Sequence, residues 1–125
     1  MSESFNYDAA LDGVLETDSR YGRPAYFFVQ RALHFYREKH GGGQAGGHIP
    51  GPDLLTGVRQ LAIEEFGPMA RSVLNSWGLA AGEDVGEIVY NLIDAGLMSK
   101  TAEDRKEDFH GVMKFDDSMD AESPW

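Results

Sequence analysis

The stretch that most constrains the fold is residues 83–115, which opens with a strongly patterned segment. Its apolar residues follow the spacing i, i+3, i+4, i+7, i+8: Val85, Ile88, Val89, Leu92 and Ile93. Because an α-helix repeats every ~3.6 residues, this spacing gathers these side chains on one face and predicts a core helix over 84–95. Gly96 follows directly, at the position where a glycine commonly ends a helix in the left-handed conformation.

The residues after Gly96 leave two interpretations open. Segments 97–100 and 109–115 can pair as the strands of a β-hairpin around a charged, partly helical loop, and this is the arrangement we expect. A helix followed by a hairpin resembles the recognition helix and wing of a winged helix-turn-helix domain. In the alternative, Thr101 caps a further helix that runs to Phe109, with Asp104 three residues after the cap.

The rest of the chain is predicted to be helical. Apolar residues at helical spacing, interrupted by glycine and proline, predict helices over 6–16, 24–39, 52–66 and 68–77. The fold class is therefore mainly α with a short β-hairpin, in a single domain with a winged-helix-like helical core. The predicted division of the chain is an N-terminal helix and connection (1–19), the winged-helix-like domain (20–115) with a glycine-rich loop at 40–51, and an acidic tail (116–125) expected to be disordered.

Charge and composition restrict the function. The formal net charge of −10 opposes non-specific binding to nucleic-acid phosphates and to anionic membranes. The chain has no cysteine, which excludes disulfides, thiolate catalysis and cysteine-based zinc sites. The first thirty residues lack the apolar core of a secretory signal, and no apolar run approaches the ~20 residues that cross a bilayer. We therefore expect a cytoplasmic protein that does not use a membrane.

Three blocks of the sequence together carry a family resemblance. They are DSRYGRPAYFFVQRALHF (18–35), LLTGVRQLAIEEFGPMARSVLNSWG (54–78) and EDVGEIVYNLIDAGLMSKTAEDRKEDF (83–109). These blocks resemble a small uncharacterised family described as restricted to Planctomycetes and Verrucomicrobia. The resemblance implies one domain of bacterial origin over roughly 18–115, and it implies no activity, substrate, cofactor or site. The glycine run at 41–47 departs from the family pattern and resembles a local expansion.

No catalytic, cofactor-binding or metal-binding residue is predicted. The four histidines have no spacing that sets two imidazoles on one helical face: His34, His40, His48 and His110. Pairs of neighbouring acids fit an exposed helix face, a helix N-terminus and the tail: Glu64 with Glu65, Asp84 with Glu87, and Asp116 with Asp117. Acid–base chemistry needs a carboxyl group with a shifted pKa, and nothing in the pattern around these pairs indicates one.

Two surfaces are predicted to bind partners. The basic set lies in a segment that interleaves arginines with aromatic rings: Arg20, Arg23, Arg31 and Arg37. We expect most of these rings in the core and any remaining rings in an exposed strip suited to protein partners. The second set is the outer face of the 84–95 helix: Asp84, Glu87, Asn91 and Asp94. Its acids argue against reading of duplex DNA, because nucleic-acid readers place Arg, Lys, Asn and Gln there.

The function expected from the sequence is a non-enzymatic, cytosolic protein-interaction module that uses these two sets as opposed docking surfaces. Its partner would be another protein or a second copy of the chain, since the basic and acidic segments are complementary. The alternative is a nucleic-acid-binding regulator that uses the basic-aromatic segment 20–39.

Overall fold

The computed structural model describes residues 7–40, 49–98, 105–111 and 113–116. In this part of the chain the α-helices are α1 (Tyr7–Thr17), α2 (Arg23–His40), α3 (Gly51–Phe66), α4 (Ala70–Ser76) and α5 (Gly82–Asp94). Short 3-10 turns cover Gly67–Met69 and Lys106–Phe109. The mainly helical class is confirmed, and each predicted helix is found with its ends shifted by one or two residues. The exception is 68–77, which begins as a 3-10 turn and becomes helical at Ala70.

The ends of α4 and α5 follow the same pattern of backbone hydrogen bonds. Gly96 has φ +77 and donates to the Ile93 carbonyl at 3.0 Å, while Leu97 donates to the Leu92 carbonyl at 2.8 Å. This pair of bonds is the Schellman motif, so the predicted role of Gly96 is confirmed. The same motif ends α4, where Gly78 has φ +97 and its backbone N–H donates a hydrogen bond of 3.0 Å to the Asn75 carbonyl.

The hydrophobic core lies between α2, α3 and α5. Its largest fully buried side chains include Tyr26 and Phe28 of α2, and the patterned face of α5 contributes Ile88 and Leu92. Leu11 of α1 is also fully buried in this core. The burial of α5 agrees with the prediction from its apolar spacing, and each such side chain stabilises the fold by roughly 1.5–3 kcal/mol before entropy is counted.

The predicted β-hairpin and winged-helix-like core are wrong. No strand forms within the described residues, and the one β-bridge there joins Ala81 to Lys114. Phe109, which was placed in the second strand, instead belongs to a 3-10 turn and is 4% exposed against α5. The physical reason is that Phe109 and Phe115 are both buried in the helical core, which holds the described residues next to them away from a pairing with residues 97–98.

Other predictions fall partly or wholly outside the described residues. Residues 97–98 of the first predicted strand follow the end of α5, and 99–100 lie outside. The alternative cap at Thr101 lies outside as well; the described turn is capped later, where the Arg105 backbone N–H donates to Asp108 Oδ2 at 3.2 Å. Most of the glycine-rich loop and the tail from 117 onward also lie outside the described residues.

Candidate functional site

Four of the eight predicted surface residues meet in one polar cluster beside α5. This α5 polar cluster consists of Asp18, Arg20, Tyr21, Asp84, Glu87 and Asn91. The Arg20 guanidinium donates two hydrogen bonds to the Asp18 carboxylate, at 2.9 and 2.6 Å, and a third to Glu87 Oε1 at 3.1 Å. Lys106 donates to the same Glu87 oxygen at 3.2 Å. The structure therefore brings a residue of the predicted basic set onto the predicted acidic set.

The remaining members of the cluster tie α5 to the segment before α2. Asn91 Nδ2 donates to Asp18 Oδ2 and to the Tyr26 hydroxyl oxygen, both at 3.0 Å. The Tyr21 hydroxyl donates to Asp84 Oδ1 at 2.7 Å. The other Asp84 oxygen accepts the backbone N–H groups of residues 80 and 81, at 2.9 and 3.1 Å, and so caps the start of α5.

The electrostatics of the cluster hold its groups in single protonation states at neutral pH. Hydrogen bonds from Arg20 hold the pKa of the Asp18 carboxyl well below its usual range. Burial acts to raise the pKa of Glu87, but the hydrogen bonds from Lys106 and Arg20 outweigh it and lower that pKa. Burial, followed by the hydrogen bond to Asp84, raises the pKa of Tyr21. None of these shifts poises a group near neutrality for proton transfer, so the cluster supports the fold.

Replacing Asp18 by asparagine is expected to destabilise the protein by about 1–2 kcal/mol at pH 7, because charge-assisted hydrogen bonds to Arg20 are lost. The Asp18 side chain is 14% exposed, whereas Arg20 at 57% is screened by water, which limits the loss. The folded-state pKa of Asp18 is lowered, so its stabilisation is present above the unfolded pKa of about 3.9 and is lost as the pH falls towards the folded pKa. Urea unfolding from pH 7 down to 2.5 measures the difference.

The matched control for this prediction is Asp12→Asn. Asp12 pairs with Arg23 in α2, but its side chain is 60% exposed. Exposed pairs of this kind contribute little, so we expect a change below about 0.5 kcal/mol. Equal effects of the two substitutions would contradict the structural role assigned to Asp18.

The other predicted surface residues lie apart from the cluster. Arg23 pairs with Asp8 at 3.5 Å and with Asp12, and Arg31 pairs with Glu65 of α3. Arg37 is half-buried in α2, and Asp94 is exposed at the last position of α5. Arg20, Arg23 and Arg31 of the predicted basic set thus each pair with a carboxylate of the same molecule, and the prediction of two opposed docking surfaces stays a prediction.

A different surface is left open on α2, on the side opposite its core residues. This outer stripe of α2 consists of Arg23, Phe27, Gln30, Arg31, His34 and Glu38. The ring of Phe27 is 39% exposed, and among the described residues only Met69, at 58%, is a more exposed large hydrophobic side chain. A single exposed ring is common on protein surfaces, so Phe27 is informative only together with the apolar surface beside it.

Open grooves flank Phe27 on the side where α2 faces α3. The distal groove, of about 470 Å³, has Phe35 and Leu61 as its apolar lining, between Gln30, His34 and Glu38 of the stripe. The proximal groove, of about 460 Å³, has the rings of Phe28, Phe66 and Trp77 in its lining. Phe27 and Arg31 line both grooves, so Phe27 forms a ridge between two concave, largely apolar surfaces.

Aromatic contacts fix the shape of this surface. The Phe28 ring lies 5.3 Å from Trp77 and 5.8 Å from Phe66, and the latter two rings meet edge to face at 6.0 Å. The Phe27 ring lies 5.5 Å from the ring of Tyr7, whose hydroxyl donates to Gln30 Oε1. A surface braced in this way loses little side-chain entropy when a partner binds.

Most rings of the basic-aromatic segment were expected in the core, and Phe27 is a ring that the structure instead exposes. The signal that could have identified it is its position within the helix, since Phe27 lies four residues from both Arg23 and Arg31 and seven from His34. Residues at these spacings share one side of a helix, and here that side is polar. The expected exposed aromatic strip is therefore narrow and is centred on one residue.

Searches for a metal site and for a membrane span, and comparisons with known proteins, add no further candidate among the described residues. Within the described residues, no His, Asp or Glu side chains form a group of three or more that could hold a metal ion. No helix of the described residues combines the length and apolar character that a bilayer crossing requires. Comparisons of the chain with protein-family models, curated proteins and solved structures found no match. The family resemblance read from the sequence stays a prediction.

Proposed function

We propose that the protein is a non-enzymatic, cytosolic protein-interaction module that docks through the outer stripe of α2. The observation that carries the proposal is the exposed Phe27 ridge between the distal and proximal grooves. Only the exposed 39% of Phe27 is left for a partner to cover, so the expected gain there is about 1 kcal/mol, to which the apolar linings of the two grooves add. Aromatic residues flanked by arginine are typical of the residues that dominate protein interfaces.

The electrostatic arrangement favours this function over the alternatives. The titratable groups of the α5 polar cluster are hydrogen-bonded to each other, so this cluster gives no support to an acid–base site. For the nucleic-acid alternative, Arg20, Arg23 and Arg31 would have to contact phosphates, yet each already pairs with a carboxylate. Affinity for nucleic acid comes largely from unpaired cations, so these ion pairs reduce the support for that alternative.

The test is affinity purification of the full chain from its native host, with and without nuclease, followed by mass spectrometry. We expect a protein partner that survives nuclease and is lost with Phe27→Asp, because a carboxylate cannot be buried in an apolar partner surface without a large cost. Met69→Asp is the control, since Met69 is even more exposed than Phe27 but lies outside the stripe. Circular dichroism establishes that both variants are folded.

Two results would contradict the proposal. A partner that binds Phe27→Asp as well as it binds the wild-type chain would show that docking occurs elsewhere. Recovery of bound material only when nuclease is omitted, and its loss with increasing salt, would favour the nucleic-acid-binding regulator.

A further inference from the structure

Helix α1 lies against the N-terminal half of the outer stripe of α2. The ring of Tyr7 is 5.5 Å from the ring of Phe27, and the Tyr7 hydroxyl donates to Gln30 Oε1. The guanidinium of Arg23 pairs with two carboxylates of α1, one of them at 3.5 Å. Three of the six stripe residues therefore already have a partner within the molecule, and that partner is α1.

The contact between these two helices is also a contact between opposite charges. The acids of α1 are Asp8, Asp12 and Glu16, and it has no basic residue, whereas α2 has four arginine or lysine residues and one glutamate. Because Asp8 and Asp12 both face Arg23, this end of the stripe is net acidic while α1 is in place. Without α1, the same end would present a cation beside the apolar ring of Phe27.

Few buried side chains hold α1 in this position. Its buried residues are Leu11 and Val14, whereas the 13-residue α5 has six buried residues. Gly13 is exposed in the middle of α1, where a glycine lowers the stability of a helix. An 11-residue helix is marginal on its own, so α1 depends on its contacts with the rest of the molecule. Its release therefore requires less free energy than unfolding of the core helices.

The chain directly after α1 is fixed in place. The Asp18 carboxylate accepts a hydrogen bond from Asn91 of α5 at 3.0 Å, and the Gly22 backbone N–H donates to the Trp77 carbonyl at 3.3 Å. The hydrogen bond from the Asp18 backbone N–H to the Val14 carbonyl, at 2.9 Å, joins this fixed segment to α1. A movement of α1 away from α2 thus turns about Asp18 and leaves the α5 polar cluster intact.

We propose that α1 is a releasable cover of the outer stripe, which masks Arg23 and Phe27 until a partner takes its place. This inference rests on the proposed function, because it takes the outer stripe to be the docking surface. A partner that replaces α1 needs the chemistry that α1 presents, an aromatic ring for Phe27 and carboxylates for Arg23. Because α1 is tethered beside the stripe, it competes at a high effective concentration and excludes weak partners.

Hydrogen exchange of the full wild-type chain, followed by NMR, tests the release of α1. We expect protection factors for the amides of residues 12–16 that are at least about tenfold lower than those in the middle of α2 and α5, because α1 opens while the core helices stay folded. Equal protection of α1 and the core helices would show that α1 leaves only when the whole chain unfolds, which would overturn the inference.

Matched substitutions test whether the stripe holds α1. Arg23→Gln removes both ion pairs to α1 and is expected to lower the α1 protection factors roughly two- to fivefold. Arg31→Gln should leave them unchanged, because Arg31 pairs with Glu65 of α3. Phe27→Ala should lower them roughly two- to tenfold through the lost ring contact, and Met69→Ala should not. Equal effects of the two arginine substitutions would overturn the placement of α1 as a cover of the stripe.

Gly13→Ala tests the inference in the opposite direction. A methyl group there would meet no atom within 4 Å, and alanine favours the helix, so the α1 protection factors should rise roughly two- to fivefold. In the affinity purification, this variant should recover less of the Phe27-dependent partner than the wild-type chain, and Tyr7→Ala should recover more. Equal recovery by the three chains would overturn the masking role of α1. Recovery of no protein partner, with α1 exchange as expected, would overturn the proposed function alone and leave α1 a releasable helix.

Discussion

Replacing Phe109 by alanine is expected to lower the free energy of unfolding by about 3–5 kcal/mol, the usual cost of removing a buried phenylalanine. Phe109 is 4% exposed, although it lies in a 3-10 turn of only four residues. Its ring fits against glycines of two helices: a methyl group would come within 3.1 Å of the ring at Gly51 and within 2.9 Å at Gly86. Urea unfolding followed by circular dichroism measures the change.

The matched control is Phe27→Ala, which removes the same side chain from an exposed position. We expect it to cost less, about 2 kcal/mol or below, because the Phe27 side chain is 39% exposed and its removal from the surface leaves no closed cavity. A third variant, Gly86→Ala, places a methyl group against the Phe109 ring and should also lower the free energy of unfolding. If Phe109→Ala cost no more than Phe27→Ala, the turn would not be an anchor of the fold.

The helices could be predicted from the sequence because their apolar residues repeat with the period of an α-helix. In α5, Val85, Ile88 and Leu92 are fully buried, as their spacing predicts, and Gly96 ends the helix as expected. These features depend on residues close together in the chain, and local patterns report on local structure. The same reasoning located α2 and α3 and the glycine stop after α4.

The segment after α5 could not be predicted in the same way, because its conformation depends on distant residues. Phe109 and Phe115 suggested a strand, but the space that holds Phe109 is created by the absence of side chains at Gly51, Gly82 and Gly86. A glycine inside a predicted helix indicates either a less stable helix or a site where another part of the chain packs closely against the backbone. The sequence alone does not distinguish these two cases.

The outer stripe of α2 shares only Arg23 and Arg31 with the surface residues predicted from the sequence, for a related reason. The predicted surface residues were selected by charge, and the structure pairs most of these charges within the molecule, as with Arg20 and Glu87. Whether a charge is available to a partner depends on which helices lie side by side, and periodicity does not provide that information. Phe27, in contrast, was identifiable from its position among polar residues on α2.

Replacing Gly78 by alanine is expected to destabilise the protein by about 3 kcal/mol or more, for two separate reasons. Gly78 has φ +97, a conformation that costs a residue with a side chain about 1–2 kcal/mol. In addition, the new methyl group would lie 2.5 Å from the carbonyl oxygen of Arg20, which is backbone and cannot turn aside. Relieving that contact requires a shift of the segment before α2, at a cost typical of overpacking, about 1–3 kcal/mol.

Gly96→Ala separates these two reasons, because Gly96 has φ +77 but a methyl group there would meet no atom within 4 Å. Alanine at this position should therefore lower the free energy of unfolding only by the cost of the left-handed backbone conformation, about 1–2 kcal/mol. The difference between the variants measures the contact with Arg20, whose guanidinium holds Asp18 and Glu87 in the α5 polar cluster.

If Gly78→Ala moves Arg20, the pKa of Asp18 should rise towards its usual value in that variant and stay low in Gly96→Ala, which NMR titration of the folded proteins measures. Equal destabilisation by the two substitutions, with an unchanged Asp18 titration, would mean that the chain around Arg20 accommodates the methyl group and that the cluster does not depend on Gly78.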